Sequence, residues 1–418
     1  MGFADKYISR NLFLEPFIEN KTDSDLKIIV IIPIYNEPNI IECLNRLVSC
    51  NNIDGKVEVI IIINSSERDN DELRAFNYNT YKDINRWISN NDSDFISFYV
   101  RIIENLPAKH AGVGLARKIA MDEALIRFNS INRPDGIITS FDADTICEAN
   151  YFTSIIDFFS NKKMRGASIY FEHPVVGSEF SDSVYKSSAY YELYLRYYIA
   201  SLRYIGHPHA FHCIGSAFAV RAKAYAGEGG MNRKQAGEDF YFLQKIISSG
   251  GYGDIVDTVL HPSSRLSDRT PFGTGRSIAQ MSSVDNIDYF TNSFDVFLLL
   301  IPLFKKIDMF YKYDEIHSLL SDLSPILQEY LEKINLCEAL ERINQNCSTQ
   351  TVFRDKFFQF FNIFKVLKFL NFATEKYSPK ESVIVGASSL LAHLMLPYKS
   401  NDVFVLLDIF RKLDKELV

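Results

Sequence analysis

The chain has 418 residues, 47% hydrophobic and 23% charged, an ordinary globular composition long enough for two or three domains. A net charge of −7 argues against nucleic acid as the main partner. No run approaches ~18 apolar residues, which argues against a spanning helix. The six scattered cysteines (Cys43, Cys50, Cys147, Cys213, Cys337 and Cys347) contain no CxxC, so neither a disulfide framework nor a zinc cluster is indicated and a reducing cytoplasm is the expected compartment.

Residues 1–26 lack the apolar core and cleavage site of a signal peptide and read as an irregular arm. "LKIIVIIPIYNE" (26–37) is a continuous β-branched run, the pattern of a strand buried on both faces of a parallel sheet. "PNIIECLNRLVSC" (38–50) follows with helical spacing and Pro38 in its first turn. Strands are predicted over 56–66, 96–103 and 136–141, with helices over 69–90 and 112–128 between them. Alternating strands and helices predict right-handed βαβ units in a three-layer α/β sandwich with a mainly parallel sheet. Further strands are read over 165–171, 214–225 and 253–262, with an aromatic-rich helix over 184–206 and another over 237–250.

From Ser277 onward the only glycine is Gly386, and the Leu/Phe/Ile periodicities predict an all-helical C-terminal region. The domain expectation is an arm over 1–26, a catalytic α/β domain over 27–270 and a helical domain over 271–418. "FRDKFFQFFNIFKVLKFLNF" (353–372) has two readings: core packing, or peripheral contact with the inner face of the cytoplasmic membrane through a basic amphipathic helix.

In an open α/β sheet, ligands sit beyond the carboxyl ends of the strands. Four polar clusters fall there: "PIYNE" (33–37), "NSSE" (64–67), "DAD" (142–144) and "HPSSR" (261–265). Asp142 and Asp144 repel each other, so something positive must offset them unless both are solvated. Two carboxylates at this spacing grip a hard divalent cation, and the cation grips a diphosphate.

"IIVIIPIYNEPNI", "SFDADT" and "GEDFYFLQKI", in this order and spacing, resemble the signature blocks of family 2 type glycosyltransferases of the GT-A fold over roughly residues 27–265. The resemblance implies a soluble, bacterial, non-processive enzyme that moves a sugar from a UDP- or GDP-sugar to a hydroxyl, with Mn²⁺ or Mg²⁺. The acceptor would be a carbohydrate, a lipid-linked compound or a small hydroxylated molecule. Pro33, Tyr35 and Glu37 would line the nucleotide, Asp142 would lie near ribose and metal, and Asp144 would be the direct metal ligand. Soluble members place a metal-binding histidine after a late strand, and His261 lies at a similar distance beyond Asp144. Its plain alternative is a structural histidine at a strand end. "HPHAFH" (207–212) is a rival cluster that would line the acceptor pocket or, less in keeping with known spacings, bind zinc.

In inverting relatives the Asp of the third block is the general base. If the reaction inverts, that makes Asp239 the candidate base, with Glu238 holding an acceptor hydroxyl; if it retains, Asp239 need not be a base, and the plain alternative is a helix-start carboxylate favoured by the helix dipole. Lys109 and Arg117 flank a Gly-containing helix start suited to phosphate. Arg265 and Arg269 lie in a Gly/Ser-rich loop that would close over the donor. Where relatives carry an acidic pair to read the base, this chain has Asn64, and the QxxRW pattern of processive synthases is missing.

Two rival readings stand beside this one. "ITSFDADT" also resembles the opening motif of haloacid-dehalogenase-type phosphatases, with Asp142 as nucleophile and Asp144 as acid/base. Against it, a long strand–helix series precedes the motif and "PIYNE" goes unexplained. The other rival is a non-catalytic sugar-nucleotide-binding protein.

Overall fold

The computed structural model describes residues 2–91, 93–233, 237–266, 274–283, 287–313, 315–396 and 400–416. In chain order the first part comprises α1 (Asp5–Asn11), β1 (Leu26–Ile34), α2 (Ile40–Val48), β2 (Lys56–Ser66), α3 (Asp71–Asn90), β3 (Ile96–Leu106), α4 (Val113–Ser130) and β4 (Ile137–Ser140). It continues with β5 (Thr145–Cys147), α5 (Tyr151–Ser160), β6 (Gly166–Phe171), α6 (Asp182–Tyr204), β7 (Phe218–Arg221), α7 (Ala222–Gly227), α8 (Glu238–Ser248), β8 (Tyr252–Pro262) and α9 (Thr274–Ser282).

The fold is α/β. Eight strands form one sheet in the order β3-β2-β1-β4-β7-β6-β8-β5. The β3-β2-β1-β4 half is parallel throughout, as is the β6–β8 pair. β7 runs antiparallel to both β4 and β6, and β5 runs antiparallel to β8, so the sheet is mixed. β1 lies between two parallel neighbours under helices on both faces, and its residues are buried except for a half-buried Lys27. This is why its sequence is an unbroken apolar run rather than an alternation.

Two apolar layers flank the sheet, one joining it to α2 and α5, the other to α4 and α8. The strand expected over 214–225 is β7 for four residues only; from Ala222 the chain turns into α7. The expected irregular arm contains α1, which lies over α4: Tyr7 Oη donates to Asp122 at 2.8 Å and Lys118 Nζ donates to Tyr7 Oη at 2.9 Å. That cover explains why α4 buries charged residues on the side turned away from the sheet.

Beyond β8 the described chain is helical apart from a two-residue antiparallel ladder between Phe290–Thr291 and Glu381–Ser382. A third apolar core joins α6 to these helices. Apart from Phe361, which lies between them, the phenylalanines of 353–372 divide between helices Gln350–Phe360 and Ile363–Lys376, and Phe353, Phe357, Phe358, Phe361 and Phe369 are buried in that core.

Helix Val403–Glu416 closes the arrangement through buried charge. Arg196 on α6 donates to Glu192 at 2.9 Å and to Asp414 at 2.6 Å. Arg203 and His212 also reach Asp414, at 3.3 and 3.0 Å. Burial alone would push the Asp414 carboxyl up; His212, Arg196 and Arg203 reverse this and hold it at about 2. Among the described residues, no helix is long and apolar enough to cross a membrane.

Candidate active site

A cavity of about 1030 Å³ opens at the carboxyl ends of β1, β2 and β4. Each strand ends in a polar turn because backbone groups beyond the ladder need other partners. After β1 the chain turns at Asn36, whose φ of 52° suits asparagine, and its N–H donates to Asn77 Oδ1 at 3.1 Å. Asn64 at the end of β2 donates Nδ2–H to the Ile34 carbonyl at 3.0 Å, while its Oδ1 is buried without a partner among the described residues. Tyr35 Oη donates to Asp69 Oδ1 at 3.1 Å, and Asp69 Oδ2 accepts from the Ser66 N–H at 2.7 Å. Pro33, Tyr35, Glu37, Asn64, Arg68 and Asp69 all line this end of the cavity.

The "DAD" turn joins β4 to β5, and two guanidinium groups from distant segments offset its carboxylates. Arg117, in the first turns of α4 and buried, donates Nε–H to Ser140 Oγ at 3.0 Å and Nη2–H to Asp142 Oδ1 at 2.9 Å. Its Nη1–H donates to Glu238 at the start of α8. Gly215 makes room for this fork: a Cβ there would lie 2.8 Å from Arg117 Nη2. Arg265, just beyond β8, donates Nε–H to Asp144 Oδ2 at 2.8 Å and also pairs with the buried Glu37. Burial, then the nearby charge of Asp144, push the Glu37 carboxyl up to about 7 despite Arg265.

Glu238 and Asp239 sit on the first turn of α8 and line the same cavity. Burial pushes both carboxyls above their ordinary range, and Arg117 partly offsets this. The sequence-predicted Pro33, Tyr35, Glu37, Asn64, Arg117, Asp142, Asp144, Glu238, Asp239 and Arg265 are thus brought to one cavity.

Lys109 is exposed and His261 is half-buried, and neither is among the residues that line the cavity. His261 faces Ile146 of β5 in the ladder, with Nδ1 3.2 Å from the Glu172 carbonyl oxygen. Arg269 lies outside the described residues. The "HPHAFH" histidines disperse. His207 is buried with Nε2 3.1 Å from the Phe361 carbonyl oxygen, and burial lowers it to about 3. His212 pairs with Asp414, and both His209 and His212 line the cavity. No group of three His, Cys, Asp or Glu side chains among the described residues is arranged to hold a metal. Sequence reasoning missed Arg68 and Asp69, which follow the "NSSE" block directly; an Asp two residues past a strand-end cluster was the available signal.

No protein-family model matches the chain, and no curated protein does. Solved structures to which the chain is similar include S. aureus TarS 1-349 in complex with UDP-GlcNAc, at 14% identity over 94% of this chain and 91% of that one, with a TM-score of 0.40. A mannosyltransferase, PcManGT from Pyrobaculum calidifontis, in complex with GDP-Man and Mn²⁺, is similar at 13% identity over 98% and 90%, with a TM-score of 0.37. A further S. aureus TarS structure is 14% identical over 74% of this chain, which spans about half, 48%, of it, with a TM-score of 0.37.

Proposed function

We propose that this protein is a glycosyltransferase that moves a sugar from a nucleoside diphosphate donor to an acceptor hydroxyl, one sugar per encounter. The observation that carries the reading is the convergence of Glu37, Asp142, Asp144, Asp239, Arg117 and Arg265 on one cavity beyond the strand ends. The nucleoside would lie against the ends of β1 and β2, with the unpartnered Asn64 Oδ1 and the Tyr35–Asp69 pair as polar contacts.

Asp144, with Asp142, would hold Mn²⁺ or Mg²⁺. Oxygen donors suit these hard ions, and such sites are often completed by substrate phosphates rather than by a third protein ligand. When bound, the ion would act as a Lewis acid that stabilises the departing diphosphate. Arg265 would turn from the carboxylates to the donor phosphates as they enter. The acceptor oxygen attacks the anomeric carbon as the bond to the diphosphate breaks, and Asp239 takes the hydroxyl proton. Burial strengthens Asp239 as a base.

The test is thermal unfolding with UDP, GDP, CDP or dTDP, each with and without Mn²⁺, on the wild type and Asp144→Asn. A ligand at a hundred times its Kd adds about 2.7 kcal/mol, a shift of a few degrees for a chain this size. One nucleotide should raise Tm in a Mn²⁺-dependent way, and Asp144→Asn should abolish the increment. No response to any of the four would overturn the reading.

A further inference from the structure

The cavity continues past Asp239 into a second compartment of different character. Its wall is an aromatic stripe on α6, where Tyr191, Tyr194 and Tyr198 recur at helical spacing and all line the cavity. Tyr194 stacks on Tyr289 with centroids 4.4 Å apart and planes 27° from parallel. Opposite, helix Ile363–Lys376 contributes Phe364 and Leu367. Phe364 stacks on Tyr241 of α8 at 4.7 Å and meets the edge of Phe240 at 4.8 Å. Phe240 directly follows Asp239, so this wall begins where the acceptor proton would be received.

Charge is divided along the cavity. The lining arginines among the described residues are Arg68, Arg117 and Arg265, all at the strand-end side, and no lysine lines the cavity. The α6 wall and helix Ile363–Lys376 present only apolar side chains and tyrosine hydroxyls. Burial raises the tyrosines at 191, 194 and 198, which keeps their hydroxyls neutral. Among the described residues, a phosphate or carboxylate here would lose its water and meet only histidines already paired (His173 with Glu192, His212 with Asp414) or lowered by burial (His209), whereas an apolar group would gain by leaving water.

Resting on the glycosyltransferase reading, we infer that the acceptor is an uncharged hydroxyl compound with an apolar portion, an alkyl or aryl group seated between α6 and helix Ile363–Lys376. Phosphorylated acceptors are disfavoured.

Calorimetric titration of the full chain with methyl β-D-glucoside, octyl β-D-glucoside below its micellar concentration, and glucose 6-phosphate tests this. The three probes share a sugar and differ in tail and charge. Octyl glucoside should bind about thirtyfold or more tightly than methyl glucoside, since each buried methylene is worth about fourfold and burial of two or three methylenes of the chain suffices. Leu367→Lys should remove that preference, and Phe364→Ser, which brings no charge and lies at another half-buried position, serves if the first variant does not fold. Equal binding of the two glucosides, a preference that survives the variants, or tighter binding of glucose 6-phosphate would overturn the inference. The Mn²⁺-dependent nucleotide response, read on the same wild-type sample, reports on the transfer reading independently of these titrations.

Discussion

Arg117 and Asp142 face each other at 2.9 Å, the arginine buried and the carboxylate partly open to the cavity. The same guanidinium also holds Glu238, so one cation at the start of α4 sets the position of the "DAD" turn and of α8. Removing one partner from such an arrangement leaves buried charge uncompensated. Arg117→Met should lower stability by about 3–5 kcal/mol, measured by urea unfolding. Adding Glu238→Gln should recover part of the loss, and strict additivity of the two would contradict a shared network.

Gly215→Ala tests the space around that guanidinium. A methyl group 2.8 Å from Arg117 Nη2 forces the fork to move. The expected cost is about 1–3 kcal/mol in the urea midpoint, together with a weaker nucleotide-induced thermal shift. Wild-type values for both would mean the guanidinium has room to yield.

Glu37 gives a pH signature. Its carboxyl titrates at about 7 in the folded chain against an ordinary value of 4.5. Between these values the native state binds more protons than the unfolded state, so this residue's contribution to stability falls as pH rises from about 4.5 to about 7. In urea titrations across that range, Glu37→Gln should show a less negative slope than the wild type. Identical slopes would place the titration elsewhere.

Asp239→Asn should lower kcat by about two to four orders of magnitude while leaving the nucleotide-induced thermal shift in place, since general-base loss acts on the proton transfer. A variant that keeps full turnover would remove Asp239 from the reaction.

Asp414→Asn should cost about 3–5 kcal/mol, because Arg196, Arg203 and His212 would lose their shared counter-charge. In the wild type this contribution is present above about pH 4 and is lost as pH falls towards about 2, the carboxyl being depressed in the folded state. Acid unfolding monitored by circular dichroism should therefore begin at higher pH in the variant.

The sheet was legible because β1 and β2 are buried on both faces and are written as unbroken apolar runs. The strand-end clusters were legible for the complementary reason, that polar groups follow where the ladder stops. The pairing of Arg265 with Asp144 was not, since 121 residues separate them and no local pattern encodes the contact. His261 pairs in the ladder with Ile146, two residues beyond Asp144, and its Nδ1 lies 3.2 Å from the Glu172 carbonyl oxygen, contacts that its spacing from Asp144 did not encode. The tyrosines of α6 had visible helical spacing, yet spacing alone does not say whether a stripe faces core or cavity. Tyr197 is fully buried and donates to the Asn292 carbonyl, while Tyr194 and Tyr198 line the cavity.

The ion pairs of Asp414 bear on the order in which the molecule is made. Arg196 and Arg203 leave the ribosome some two hundred residues before the carboxylate that they share. Until then Arg196 has Glu192 and Arg203 has Asp254 as acidic partners, and α6 lacks the helix that packs along it. A nascent chain can therefore assemble its parallel half-sheet early, but the charges of Arg196, Arg203 and His212 gain their shared carboxylate only when helix Val403–Glu416 docks.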